Sequence, residues 1–279
     1  MTKKKNESEG HPLGPTTVEK WFKCPVLADL GTRWQPKANN WAPNMLIGKM
    51  VAAGLAIYHT APSAKATERE LSRLISEESV CLAVSEKYTS EGLVKLAHKG
   101  IKLGADIGIP FGGKVLACEE NIGGARPDIV WRDSGGLRFA DWKVSVSLDA
   151  QWVSQRLGQY DASWQLMDYA WRIREAYGEI PVTGAINLLV LSPRAKAYPY
   201  EIEMSDERID FWLKDAQEVW GHMAKQKAGT EARWHNWGSC TTNPYTKDKR
   251  CEFFDLCHVL HGDESKAASL YDRRARRGD

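Results

Sequence analysis

A short hairpin pattern in the middle of the chain constrains its fold more than any other feature. Two alternating runs, Arg126–Arg132 and Leu137–Lys143, flank the four residues Asp-Ser-Gly-Gly. This composition is typical of a tight turn between antiparallel strands. If the loop is symmetric about the Ser134–Gly135 bond, residue 128 lies opposite residue 141. The sequence therefore predicts a β-hairpin whose register is set by its turn.

The predicted register brings charged side chains together on one face of the hairpin. Residues directly opposite share a face, and so do residues two apart on a strand, so Asp128, Asp141 and Lys143 converge. Two like charges facing each other destabilise a sheet by roughly 0.2–1 kcal/mol. A divalent cation held by the carboxylate oxygens would offset that repulsion. A lysine beside a metal-bound water suits the hydrolysis of a phosphodiester.

A surface hairpin with a solvated carboxylate–lysine face is the alternative interpretation. The pattern P-D followed by D-x-K is short and arises by chance in many chains. However, Ile129, Trp131, Ala140 and Trp142 fall on the opposite face and are apolar. We therefore expect the hairpin to have a buried side, which favours the metal site.

Composition and charge narrow the class of protein. The 279 residues are 43% hydrophobic and 27% charged, as in ordinary soluble domains. The net charge of +2 is too small to identify a nucleic-acid binder, so any DNA-binding surface must be a local patch. Residues 1–17 have no apolar signal region, and the longest apolar run, Met45–Tyr58, is too short to span a bilayer. We expect a cytoplasmic protein with no membrane partner.

Hydrophobic periodicity predicts helices and strands on both sides of the hairpin. Helices are predicted from Thr16 to the residue before Cys24 and over 45–59, 66–75, 82–104 (with an interruption), 149–177 and 205–225. Strands are predicted over 115–120, 185–191 and 198–203. The cysteine-bearing stretch 229–257 has no clear hydrophobic periodicity. A loop of this length inside a compact domain needs an interaction that anchors it.

Two further motifs lie outside the hairpin. Gln165 and Tyr169 form a Q-x-x-x-Y pattern, and residues four apart share one face of a helix. A polar–aromatic pair lining a helix–sheet interface is the alternative for them. Four cysteines stand at the two ends of the chain: Cys24, Cys240, Cys251 and Cys257. Thiolates are the ligands that select iron–sulfur clusters or zinc.

The order and spacing of these motifs resemble the PD-(D/E)XK nuclease superfamily, in particular its RecB-like, CRISPR-associated and phage nucleases that carry an iron–sulfur cluster. The resemblance extends from about Val18 to Cys257. It implies an α/β fold with a restriction-endonuclease-like core, in which a mixed central sheet is flanked by helices. We expect a disordered N-terminus over 1–15, a single nuclease domain over 16–262 and a basic tail over 263–279.

The resemblance also implies which residues act. The expected catalytic set lies on the hairpin and the following helix: Asp128, Asp141, Lys143, Gln165 and Tyr169. Within it the two acids would bind Mg²⁺ or Mn²⁺ together with the carbonyl of Trp142. Lys143 would orient or activate the attacking water, while Gln165 and Tyr169 would support the site and the bound strand. The implied activity is DNA hydrolysis, as an exonuclease in recombination, repair or phage DNA processing.

The cysteines resemble the ligand set of a [4Fe–4S] cluster that joins the two ends of the domain. The interval between Cys251 and Cys257 matches the family, whereas the ten residues between Cys240 and Cys251 exceed its usual spacing. Zinc is the alternative, with His235 or His258 as a substitute ligand. Cys81 and Cys118 lie in apolar settings and are expected to be small buried residues.

One family feature is missing. Members usually carry Gly-x-x-x-His on the helix before the hairpin, but here Gly48 leads to Ala52. His59 lies two turns further on, about 10 Å along the helix axis, and cannot simply take over that position. The alternative function is therefore a catalytically impaired DNA-binding or assembly subunit. Expected partners in either case are single-stranded DNA or duplex ends, and recombination or replication proteins.

Overall fold

The computed structural model describes residues 15–36, 43–77, 89–107, 113–148, 150–179, 183–192, 194–233, 253–261 and 263–273, together with residues 181, 236, 240 and 251. The predicted disorder of residues 1–15 falls outside this part of the chain except at Pro15. The chain divides into two compact units. The core unit comprises residues 37–122 and 126–214, and the terminal unit comprises residues 1–36, 123–125 and 215–279.

The helices and strands alternate along the chain. The helices are α1 (Pro15–Lys23), α2 (Pro25–Arg33), α3 (Pro43–Thr60), α4 (Ala64–Glu77), α5 (Ser90–Ile107), α6 (Ala150–Gly158), α7 (Trp164–Tyr177) and α8 (Asp206–Lys227). The strands are β1 (Trp34–Pro36), β2 (Lys114–Cys118), β3 (Ile129–Asp133), β4 (Gly136–Ser147), β5 (Thr183–Ser192), β6 (Lys196–Glu203) and β7 (Tyr271–Arg273).

A mixed sheet forms the centre of the core unit. Its strand order is β2-β3-β4-β5-β6. β4 and β5 run parallel, whereas the other neighbouring strands are antiparallel. Helices pack on the sheet, so the predicted α/β class with a mixed central sheet flanked by helices is confirmed.

The hairpin β3–β4 has the predicted register. Ile129 pairs with Ala140 and Asp133 with Gly136, which is the pairing of a loop symmetric about residues 134 and 135. The backbone N–H of Gly135 donates to Asp133 Oδ1 at 2.8 Å, and Gly136 adopts φ 121°. Only glycine adopts that dihedral angle without strain. The turn chemistry therefore explains the register.

One face of the sheet is covered by α3 and α5. Their buried side chains form a cluster with Leu189 and Leu191 of β5, and Trp142 of β4 packs against it. A Cβ at Gly100 of α5 would come within 2.5 Å of Val51 in α3. The absence of a side chain at Gly100 therefore lets the two helices approach closely enough to bury this cluster.

The opposite face of the sheet carries α7. The rings of Phe139 in β4 and Tyr169 in α7 meet edge to face with centroids 6.1 Å apart. Phe139 is fully buried and Tyr169 is 5% exposed. The sequence predicted a long helical region over 149–177, and the structure divides it into α6 and α7 with a turn between them.

The terminal unit gathers residues from both ends of the chain. β1 pairs antiparallel with β7, so that Trp34 lies opposite Arg273. Trp34 Nε1 donates to Glu264 at 3.0 Å, and Phe253 belongs to the same buried cluster as Trp34. The predicted tail over 263–279 thus contributes a 3-10 helix, Glu264–Ser269, and a strand. The single domain over 16–262 stays a prediction.

Among the helices in the described part of the chain, none combines the length and apolar composition needed to cross a bilayer.

Candidate active site

The alternation of β4 presents the predicted catalytic residues to α7. Asp141 and Lys143 lie on the face that carries α7, whereas Trp142 between them packs on the α3 side. Gln165 and Tyr169 are one turn apart on α7, so both side chains can reach the same strand. The structure therefore brings together on one face the residues that the sequence placed in one site.

A hydrogen-bonded network joins these side chains. Lys143 Nζ donates to Gln165 Oε1 at 3.0 Å and lies 2.6 Å from Asp141 Oδ2. Gln165 Nε2 donates to Asp141 Oδ1 at 3.1 Å and to the Tyr169 hydroxyl oxygen at 2.7 Å. Gln165 thus links the lysine, the carboxylate and the tyrosine, and it holds Asp141, which is 3% exposed.

Asp128 lies just before β3, at the end of the hairpin. Its Oδ2 accepts the backbone N–H of Trp142 at 2.5 Å. Its backbone carbonyl accepts the N–H of Glu119 at 3.0 Å and the thiol of Cys118 at 3.2 Å. Cys118 is half-buried, and burial raises the pKa of its thiol to about 12. Contacts to both neighbouring strands therefore hold Asp128 beside Asp141.

The electrostatics of the site show that its two acids act on each other. Burial, followed by the nearby charges of Asp141 and Glu119, raises the pKa of Asp128 well above its ordinary value. Burial opposes the charge on Lys143, but the charge and hydrogen bond of Asp141 outweigh it and raise the lysine pKa. Burial and the charge of Asp141 also raise the pKa of Tyr169. At neutral pH the lysine is an ammonium and the tyrosine is neutral.

This donor set fits a hard divalent cation. Two carboxylates that repel each other in a buried pocket gain most from a positive charge between them, and oxygen ligands suit Mg²⁺ or Mn²⁺. Glu119, which follows β2, forms an ion pair with Arg126 at 2.7 Å. Among the described residues, no three His, Cys, Asp or Glu side chains are grouped as metal ligands. The ion would therefore depend on two acids and backbone or water oxygens.

His59 lies on the other face of the sheet from Asp141. Its ring stacks on the indole of Trp142, with centroids 6.2 Å apart and an interplanar angle of 11°. Burial lowers the pKa of His59, so the ring is neutral at physiological pH. The absence of His59 from the metal ligands, expected from its place on the helix, stays a prediction.

The four cysteines of the predicted cluster all belong to the terminal unit. Burial raises the pKa of Cys240, and so does the neighbouring Cys24. Burial, followed by the charges of Cys251, Cys24 and Cys240, raises the pKa of Cys257 to about 12. The thiols are thus electrostatic neighbours, although within the described residues they are not grouped closely enough to form a metal-ligand set. The donor chemistry fits a cluster or zinc.

The alternative zinc ligands are only partly described. His258 stacks on the ring of Phe254, with centroids 4.3 Å apart. His235 lies outside the described residues, and so does Cys81, which the sequence predicted to be buried.

Two features near the site were missed from the sequence. Asp168 and Arg172 form a buried ion pair one turn from Gln165, with Arg172 Nε 3.0 Å from both carboxylate oxygens. Their i, i+4 spacing was a signal for this pair. Tyr160 is one of the groups that act electrostatically on Lys143. No motif marks Tyr160, because it lies in the turn after α6 and reaches the site only through the tertiary fold.

Comparison with known proteins adds little to this geometry. No protein-family model matches the chain, and no curated protein matches it. Among solved structures, a "putative exonuclease" of Eubacterium rectale is 15% identical over 90% of this chain and 87% of that one, with a TM-score of 0.47. The protein SSO0001 is 15% identical over 77% of this chain and 95% of that one, with a TM-score of 0.26. Likeness at this level carries no functional conclusion.

Proposed function

We propose that this protein is a nuclease that hydrolyses DNA phosphodiester bonds with the help of Mg²⁺ or Mn²⁺. The observation that carries the proposal is the network of Asp141, Lys143 and Gln165 beside Asp128. In this network the ammonium and the carboxylates lie on one face of the hairpin, and the Gln165 amide of α7 contacts both Lys143 and Asp141. A surface hairpin with a solvated charged face would not bury Asp141 to 3% exposure.

Each residue has a separate role in the proposed reaction. The Lys143 ammonium, protonated at neutral pH, donates hydrogen bonds to the attacking water or to a phosphoryl oxygen on which charge develops. Gln165 keeps the lysine and Asp141 in place by contacting both. Asp128, Asp141 and the carbonyl of Trp142 would hold the cation. A bound divalent cation lowers the pKa of its water and stabilises the phosphoryl charge.

Cleavage of labelled DNA tests the proposal. Single- and double-stranded DNA, labelled at either end, is incubated with the purified full chain in the presence of Mn²⁺ or EDTA. We expect cleavage only with the cation. Loss of single nucleotides from an end would identify the exonuclease mode expected for recombination, repair or phage DNA processing, whereas cuts in circular DNA would exclude it.

Variants of the site separate catalysis from folding. Asp141→Asn and Lys143→Ala should abolish cleavage, because each removes a charge that the reaction needs. Asp210→Asn is the matched control, since this carboxylate is 62% exposed and pairs with Arg174 on α7. Unchanged cleavage by folded Asp141→Asn and Lys143→Ala would refute the catalytic assignment.

A non-catalytic DNA-binding subunit is the second candidate. Ala52 at the position of the family histidine favours it, while the intact network around Lys143 opposes it. The same experiment distinguishes the two, because a subunit of this kind would bind DNA and leave it uncut with either metal.

We further propose that Cys24, Cys240, Cys251 and Cys257 bind a [4Fe–4S] cluster. In support of this proposal, the backbone N–H of Cys251 donates to the carbonyl of Cys240 at 2.7 Å, and burial and Cys24 raise the pKa of the Cys240 thiol. Anaerobically purified protein should contain iron and sulfide and show broad visible absorption that Cys257→Ser removes. Stoichiometric zinc without iron would replace the cluster by a zinc site at the same cysteines.

A further inference from the structure

An exposed tryptophan stands on the outer face of α6. Trp152 is 52% exposed, whereas its neighbour Val153 and the residue one turn later, Leu157, are 5% and 7% exposed. The buried residues already attach the helix to the rest of the core unit. Trp152 therefore presents its ring to solvent, where it can stack on a ligand.

A basic and an aromatic residue continue from Trp152 toward the proposed active site. Arg156 lies four residues after Trp152, one helical turn along the same face. Its guanidinium lies over the ring of Tyr160, 5.9 Å from the centroid. The carbonyl of Tyr160 accepts the backbone N–H of Ser163 at 3.0 Å, two residues before Gln165, whose side chain contacts Lys143. Trp152, Arg156 and Tyr160, here called the α6 track, thus lead to the start of α7, the helix that carries Gln165.

We propose that the α6 track binds a single DNA strand and leads it to the active site. The inference rests on the proposed nuclease function and names its substrate class: single-stranded DNA or an unpaired strand end. Trp152 and Tyr160 would stack on bases, and Arg156 would contact the intervening phosphate.

The chemistry of the track favours a single strand over other occupants. Stacking on Trp152 requires a base whose face is free, which a duplex does not offer along its length. The segment Ala150–Gly158 contains Arg156 and no acidic residue, which suits a phosphate backbone. The following carboxylate, Asp161, accepts a hydrogen bond from the Tyr200 hydroxyl at 2.7 Å. This hydrogen bond directs the carboxylate toward Tyr200.

Binding measured without cleavage tests the track. The full-length protein is titrated into fluorescently labelled oligo(dT) in EDTA, and the anisotropy gives Kd. Base–aromatic stacking contributes about 1–3 kcal/mol, so Trp152→Ala should raise Kd by about 5- to 150-fold. Trp152→Phe should restore most of the affinity because it keeps a ring. Arg156→Ala should weaken binding and reduce its dependence on salt.

Phe211→Ala is the matched control. Phe211 is an aromatic residue on α8 that is 73% exposed, and it lies outside the track. Its removal should leave Kd for oligo(dT) unchanged. Blunt duplex of the same length should bind wild type and Trp152→Ala equally.

The outcomes separate this inference from the nuclease proposal. Wild-type affinity of Trp152→Ala for oligo(dT) would overturn the track even if the protein cleaves DNA. Loss of affinity in Trp152→Ala together with no cleavage by wild type would support the track and refute the nuclease. Conversion of a dimer to a monomer by Trp152→Ala, seen by light scattering, would assign the surface to a second copy of the chain and overturn the inference.

Discussion

The buried ion pair between Asp168 and Arg172 allows a quantitative test of the helix that carries Gln165. Both side chains are almost inaccessible, with exposures of 4% and 5%, and Arg172 Nε lies 3.0 Å from the carboxylate. Arg172→Ala would leave the Asp168 carboxylate in the same buried position without its counter-charge. We therefore expect a large loss of stability.

The expected magnitude follows from this burial. Removing one partner of a buried pair costs about 3–5 kcal/mol. A domain of about 150–250 residues loses about 2–4 °C in Tm per kcal/mol, which corresponds to a decrease of roughly 6–20 °C. The isolated carboxylate would respond by taking up a proton. Burial already raises the pKa of Asp168 despite the opposing charge of Arg172. Removal of the Arg172 guanidinium should therefore raise the pKa of Asp168 further.

This shift determines how the loss depends on pH. A carboxyl group whose pKa is higher in the folded state favours folding when it is protonated. The penalty of Arg172→Ala should therefore be smallest near pH 4, close to the ordinary pKa of aspartate, and grow as pH rises through the raised pKa. Thermal unfolding followed by circular dichroism, from about pH 4 to pH 8, measures this dependence.

Lys95→Ala provides a matched control for the pair. Glu91 and Lys95 on α5 also stand four residues apart, at 2.7 Å, but their exposures are 77% and 75%. Loss of such a surface pair costs about 0.3–0.5 kcal/mol, with little effect on Tm. The burial of Asp168 does not determine the stability that this pair contributes if Arg172→Ala lowers the free energy of unfolding no more than Lys95→Ala does. The same conclusion follows if the loss of stability in Arg172→Ala does not depend on pH.

Three further outcomes concern the site itself. In EDTA, Asp128→Asn should raise Tm at neutral pH more than at acid pH, because it removes a carboxyl group whose pKa the fold raises. Asp128→Ala should be about 1–3 kcal/mol less stable than Asp128→Asn, because the N–H of Trp142 then loses its acceptor. A lower Tm for Asp128→Asn at every pH would contradict this. Gln165→Ala should slow cleavage by about 10- to 150-fold, because it removes one charge-assisted hydrogen bond to Lys143. A wild-type cleavage rate in Gln165→Ala would exclude a positioning role for this residue. Mn²⁺ affinity measured by calorimetry should be unchanged in His59→Ala and higher in Ala52→His. A weaker Mn²⁺ affinity in His59→Ala would place the His59 ring among the metal ligands.

Sequence patterns of short range predicted the elements with good accuracy. The strand predicted over 185–191 is β5, Thr183–Ser192, and the helix predicted over 205–225 is α8, Asp206–Lys227. Hydrophobic periodicity and turn residues determine structure within a few positions of the chain, so they can be recognised without knowledge of the fold. Failures occurred where the pattern is ambiguous. α2 was not predicted, and the break between α6 and α7 was missed.

The sequence by itself determined the hairpin and what its face carries. The turn Asp133–Gly136 sets the register, and a period of two then places Asp128, Asp141 and Lys143 on one face. Hydrogen-bond geometry and turn chemistry are local properties, which is why no other part of the chain was needed for this result.

Only the tertiary structure decided what surrounds that face. The parallel pairing of β4 with β5 and the packing of α7 on the sheet bring Gln165 to Asp141 across 24 residues of sequence. The same packing buries Asp168 with Arg172 and raises the pKa of Asp128. These effects depend on burial and on distances between segments far apart in the chain. No local pattern encodes such quantities, so the electrostatics of the site became visible only with the fold.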